Sequence, residues 1–156
     1  IADYEKVDNE EDIALLSTAC LYHDSGFIKK YKGHEEVSCK FARETLPDFG
    51  YSTNQIQEVC KMIMATQIPQ SPKGFLGEII CDADLDYVGR DDFLPIGNSL
   101  FEELKAYNFL QTEEQWNRMQ VNFLTNHHYF TTFAKLFRED KKQENIDLVR
   151  KIVATY

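Results

Sequence analysis

Apolar positions recur along this chain with a helical spacing of three to four residues, and no stretch shows the two-residue alternation of a half-buried strand. A first helix is predicted over residues 9–22, with Ile13, Leu16 and Cys20 on one face and Asp8 or Asn9 as N-cap. Residues 25–33 read as a loop. A second helix, over residues 34–46, stops near Pro47 and Gly50. The third opens at a capping box, Ser52 with Gln55, and carries the stripe Ile56, Val59, Cys60, Ile63 and Met64. A loop with Pro69, Pro72 and Gly74 separates it from a fourth helix over residues 75–88 and a fifth over 91–107. Thr112 and Gln115 form a second capping box, opening a sixth helix that runs on, bent, to Phe137; the last covers residues 141–154. The pattern predicts an all-α bundle of about six to seven helices. With no repeat, low-complexity tract or linker, residues 1–156 are expected to form a single domain.

Charge narrows the partners. Against 17 Lys+Arg stand 26 Asp+Glu, a net charge of −9. Nucleic-acid polymers bind clustered Lys and Arg, so none is expected here; a small anion needs only a local cation. No apolar run approaches the roughly 20 residues of a membrane span, and Asp3, Glu5 and Asp8 interrupt any leader-like stretch at the start. No membrane partner is expected. Cys20, Cys39, Cys60 and Cys81 lie far apart within helical patterns without a CxxC, as expected of four reduced, buried thiols in a cytoplasmic protein.

Two ionisable positions interrupt apolar stripes. His23 continues the face of Leu16 and Cys20 at the end of the first helix, and Asp24 follows it. On the fourth helix Leu76, Ile79, Ile80, Ala83 and Tyr87 form the apolar face, and Asp84 falls inside it. Asp82 shares its row with Glu78 and Asp86, which reads as a solvated face, so Asp82 is expected to be more exposed than Asp84 and dispensable for metal binding. A carboxylate on an apolar stripe is costly unless it is paired or bound to a metal. Asp84 alone reads as a cap, a buried ion-pair member or a ligand.

The segment LYHDSGF, residues 21–27, resembles the histidine–aspartate doublet of the HD superfamily of metal-dependent phosphohydrolases. ICDADLDYVGR, residues 80–90, is similar to that family's distal aspartate segment, and GHEEVS, residues 33–38, to the histidine-bearing start of its next helix. Order and helical setting match over residues 9–105. The resemblance implies an HD-like helical bundle in which His23, Asp24 and Asp84 hold one divalent metal ion: Mn²⁺, Zn²⁺, Mg²⁺ or Fe²⁺, since a mixed nitrogen and oxygen set does not choose among them. The implied activity is hydrolysis of a phosphomonoester or phosphodiester of a nucleotide or other small phosphate by metal-activated water.

Further candidates surround that set. Asp24 joins coordination to proton handling. His34 reads either as a cleft residue or as a surface residue at a helix start, and Glu35 as a general base or a first-turn acid. Lys29 (or its neighbour Lys30) and Arg90 are candidates to contact a phosphate, against the plainer readings of a solvated charge run and a local ion pair. His127, with the weaker His128 beside it, reads as a core histidine or a substrate contact.

Two positions depart from the family pattern. The family places a first metal-ligand histidine on a helix before the doublet, and no histidine precedes His23. The opening residues read as the tail of one helix, a turn and the next, so an upstream segment is expected to complete the site. Without it, weak metal binding and uncovered apolar surface near the first helix are expected. Thr66 stands where dinuclear relatives carry a histidine, which favours a mononuclear site. The alternatives are a regulatory or ligand-sensing domain that keeps the fold without turnover and, more remotely, a di-iron oxygenase of the same superfamily.

Overall fold

Eight α-helices and three 3-10 turns, with no strand, make up the computed structural model, which describes residues 1–156. The chain divides into two compact units, Ile1–Asp84 and Leu85–Tyr156.

In the first unit, α1 (Glu10–Tyr22), α2 (His34–Thr45), α3 (Thr53–Ala65) and α4 (Phe75–Asp84) pack around one core. Asn9 caps α1, its side chain accepting from the backbone N–H groups of Glu11 and Asp12. The Ser52–Gln55 capping box opens α3 as the sequence predicts. The core joins Leu15, Leu16 and Ala19 of α1 to Cys39 and Ala42 of α2, Val59 and Ile63 of α3, and Ile79 and Ile80 of α4. Each larger side chain buried here contributes roughly 1.5–3 kcal/mol.

The buried face of α1 is turned from the predicted one. Leu15, Leu16, Thr18 and Ala19 face inward, while Ile13 and Cys20 are exposed and Leu21 is 82% exposed. Thr18 fixes this rotation: its hydroxyl donates to the Ala14 carbonyl and meets the Tyr51 hydroxyl at 2.7 Å. Cys20 therefore departs from the expectation of four buried thiols, although all four are free. Met64 and Ala83 are likewise exposed rather than inward.

The second unit comprises a 3-10 turn (Asp86–Gly89), α5 (Phe93–Ala106), α6 (Glu113–Asn126), α7 (Thr132–Phe137) and α8 (Glu139–Val153). Its core gathers Val88, Phe93, Leu124, Tyr129, Ala134, Ile146 and Val149. The predicted fourth helix ends at Asp84 rather than Val88, and its last turn is replaced by the 3-10 turn. Gly89 in that turn lies so close to α8 that a Cβ there would meet the Arg138 carbonyl oxygen at 2.5 Å. Asn145 holds the turn, donating to the carbonyls of Val88 and Arg90 at 2.9 and 3.1 Å.

The long bent sixth helix is two helices. At His127 the backbone turns extended, with ψ 136°, and His127 and Tyr129 are both buried, as alternate residues of an extended segment can be. Thr131 then caps α7 by accepting from the Ala134 N–H.

Candidate metal centre

Four helix ends meet in the first unit. His23 is the C-cap of α1, and Asp24 precedes the 3-10 turn Ser25–Ile28. His34 is the first residue of α2, entered through Gly33 at φ 74°, a left-handed conformation that favours glycine. Asp84 is the last residue of α4. The C-terminal ends of α1 and α4, where the helix macrodipole is negative, thus carry His23 and Asp84, a setting that favours a cation.

His23 organises the cluster. Its Nδ1 lies 2.7 Å from the carbonyl oxygen of Cys20. A carbonyl can only accept, so Nδ1 carries a proton and Nε2 is turned the other way. There Nε2 stands 3.4 Å from Asp24 Oδ2 and 3.4 Å from Asp84 Oδ1. Hydrogen bonding to Asp84 above all, helped by the charge of Asp24 and opposed by burial, raises the His23 pKa to about 9. The Asp24 carboxyl is shifted upward by burial, with Asp84 adding repulsion and His23 and His34 partly offsetting it. Without a metal, His23 is therefore protonated near neutral pH, with Asp24 and Asp84 beside its Nε2.

The same donor set fits a divalent ion. One oxygen of each aspartate and one nitrogen of His23 lie within 4.8 Å of one another. Two ligands about 2.1 Å from one ion lie about 3.0 Å apart at a right angle and about 3.4 Å apart at the tetrahedral angle, which the two His23 distances match. The Nδ1–carbonyl bond is the outer-shell contact that orients metal-bound histidines. An ion would take the place of the Nε2 proton.

His34 and Glu35 border the cluster. His34 Nδ1 lies 3.0 Å from the Tyr31 carbonyl, and Nε2 reaches Asp24 Oδ1 at 3.2 Å and Glu35 Oε1 at 3.8 Å. The Asp24 carboxylate thus spans two imidazoles. The His34 ring stacks on Phe27, centroids 3.7 Å apart. Glu35 is buried, and its Oε2 has no hydrogen-bond partner.

Two residues that the sequence reading passed over hold this arrangement. Ser38 Oγ donates to the His23 carbonyl at 2.7 Å and accepts from the Gly26 N–H at 2.8 Å, tying the doublet to α2. At Gly26 a Cβ would meet the His34 carbonyl oxygen at 2.0 Å. The glycine two residues after the doublet was the available signal; nothing in the sequence marks Ser38 as its anchor.

Asp82 corrects the expectation of a solvated row. It is fully buried, whereas Asp84 is only partly so. Ile79, Ile80, Cys81 and Asp82 are consecutive and all buried, so the end of α4 is enclosed on several sides and its polar row does not face water.

The remaining candidates take no part in these contacts. Lys29 is exposed at the end of the 3-10 turn. Thr66 is buried and caps α3, its hydroxyl donating to the Ile63 carbonyl. Arg90 and His127 belong to the second unit. The Arg90 guanidinium is paired with Asp92 and Asp86, the local ion pair of its plainer reading. His127 is buried, stacked on Phe123 and edge-on to Tyr129, with neither ring nitrogen hydrogen-bonded. Burial, with the charges of Lys142 and His128, pushes its pKa down to about 4.

No protein-family model, curated protein or solved structure matches this chain.

Proposed function

We propose that this chain is an HD-type, metal-dependent phosphohydrolase acting on a nucleotide or another small phosphate ester. The observation that carries the reading is the convergence of His23 Nε2, Asp24 and Asp84 at ligand spacing, with Nδ1 already committed to a carbonyl. These three residues would hold one divalent ion. Such an ion supplies Lewis acidity, acidifying water and offsetting charge on a phosphoryl group.

The chain's own residues supply the rest. Hydrolysis needs a proton removed from water and a proton delivered to the leaving oxygen. The Asp24–His34 contact at 3.2 Å offers a pair that can exchange one proton, and Glu35 Oε2 offers a buried acceptor without competing bonds. Stacking on Phe27 and the Tyr31 carbonyl hold the His34 ring in one orientation. Lys29, exposed beside the doublet turn, is the cation available to a phosphate. No helix is long and apolar enough to cross a membrane, and four free thiols suit a reducing cytoplasmic setting.

The test is phosphate release from a panel of monoesters, diesters and nucleotides with Mn²⁺, Zn²⁺, Mg²⁺ or Fe²⁺. Turnover abolished by chelation and by Asp84→Ala is expected. Tight metal and nucleotide binding with no turnover on any substrate would make the chain a ligand-sensing domain instead. Absence of metal binding would remove the centre itself.

A further inference from the structure

Cys39 on α2 and Cys60 on α3 face each other across a helix–helix interface inside the first unit. The Cys39 thiol donates to the Cys60 carbonyl at 3.4 Å, and the Cys60 thiol donates to the Cys39 carbonyl at 3.6 Å. Reciprocal contacts of this kind require two side chains lying side by side between closely approaching backbones. A disulfide demands that same proximity, with Cβ atoms about 3.8 Å apart.

The other cysteines lack such a partner. Cys20 is exposed on α1, and Cys81 is buried with its thiol donating to the Ala65 carbonyl at 3.1 Å.

From this geometry we infer that Cys39 and Cys60 are a redox-active pair that closes reversibly into a disulfide between α2 and α3 when exposed to a low-molecular-weight disulfide. The thiolate of one of the two attacks one sulfur of that disulfide, breaking its S–S bond and releasing one small thiolate. The other cysteine, giving up its proton to solvent or to the departing sulfur, then attacks the protein sulfur of that mixed disulfide and releases the second. Two protein thiols are oxidised and one small disulfide is reduced to two small thiols.

The reciprocal geometry is symmetric, so either sulfur can attack and the other resolve. Both residues are buried, so exchange proceeds through local opening of the interface and is slow relative to reaction at exposed Cys20. Closure ties α2, which begins with His34, to α3, so the cross-link bears directly on the element that carries one side of the metal centre.

The test uses the full chain as Cys20→Ser, which removes the exposed competitor, equilibrated with oxidised glutathione. Expected are a mass lower by two hydrogen atoms, a tryptic peptide joining Cys39 to Cys60, a rise in melting temperature, and reversal by dithiothreitol. Recovery of both residues as alkylatable thiols after unfolding, or a persistent glutathione adduct on either, overturns the inference. The readout is independent of hydrolytic activity, so it stands or falls apart from the proposed function.

Discussion

Asp84 Oδ1 lies 3.4 Å from His23 Nε2, bringing the last residue of α4 to the residue that caps α1. Asp82, two residues earlier on the same helix, is wholly enclosed by protein. The two aspartates should therefore fail differently. Asp84→Asn is expected to weaken Mn²⁺ binding at least about tenfold, the lower end of what loss of even an outer-shell partner costs. Asp82→Asn should keep that affinity in the folded chain while lowering stability by about 1–3 kcal/mol through a disturbed buried polar group. Titration calorimetry and thermal melts on both variants decide this. Metal loss in Asp82→Asn with an unchanged melting temperature would reverse the assignment.

Ser38 ties the doublet to α2 through the His23 carbonyl and the Gly26 N–H. Removing its hydroxyl leaves a buried N–H unsatisfied. Ser38→Ala is expected to cost about 1–3 kcal/mol in urea unfolding. Gly26→Ala should be worse, because the added carbon collides with the His34 backbone rather than with a flexible side chain. In both variants metal affinity should fall although no ligand has changed; unaltered affinity would show that the turn needs no anchor.

Glu35 separates structure from chemistry. Its Oε2 is buried without a partner, so Glu35→Gln removes no hydrogen bond at that atom and should leave the melting temperature and metal affinity close to wild type. If Glu35 accepts the proton from water, kcat should drop roughly 100-fold or more while KM stays constant. A variant with full turnover removes Glu35 from the mechanism.

His127 gives the second unit a pH dependence of known sign. Its pKa is about 4 when folded, against 6.5 as the ordinary value. Between those values the unfolded chain binds more protons, so stability rises with pH in this window and is lost as pH falls through it. The loss reaches at most about 3 kcal/mol by pH 4. Urea midpoints at pH 7 and pH 5 should differ more for the wild type than for His127→Phe. Parallel profiles would show that the imidazole is solvated.

How much of this was legible in the sequence depended on the range of the interaction involved. Both capping boxes, the start of α2 at His34 and the all-helical class follow from contacts within four residues, and these the chain determines by itself. The doublet and the aspartate of the fourth helix were likewise legible as candidate ligands. Their 3.4 Å separation was not, because it depends on where α1 and α4 end relative to each other. Helical periodicity says that a helix has two faces, but not how many sides of it are covered. That is why Asp82, on a row shared with Glu78 and Asp86, turned out buried, and why Ile13 and Cys20 lie outward on α1. The break at His127 escaped for the same reason: residues 112–137 keep a helical pattern, and only burial of His127 and Tyr129 in the second unit's core makes an extended segment cheaper than another helical turn. The Cys39–Cys60 pairing and the Ser38 anchor join different elements, and no local pattern encodes them. Short-range hydrogen bonding and periodicity are written along the chain; which face meets which is a property of packing in three dimensions.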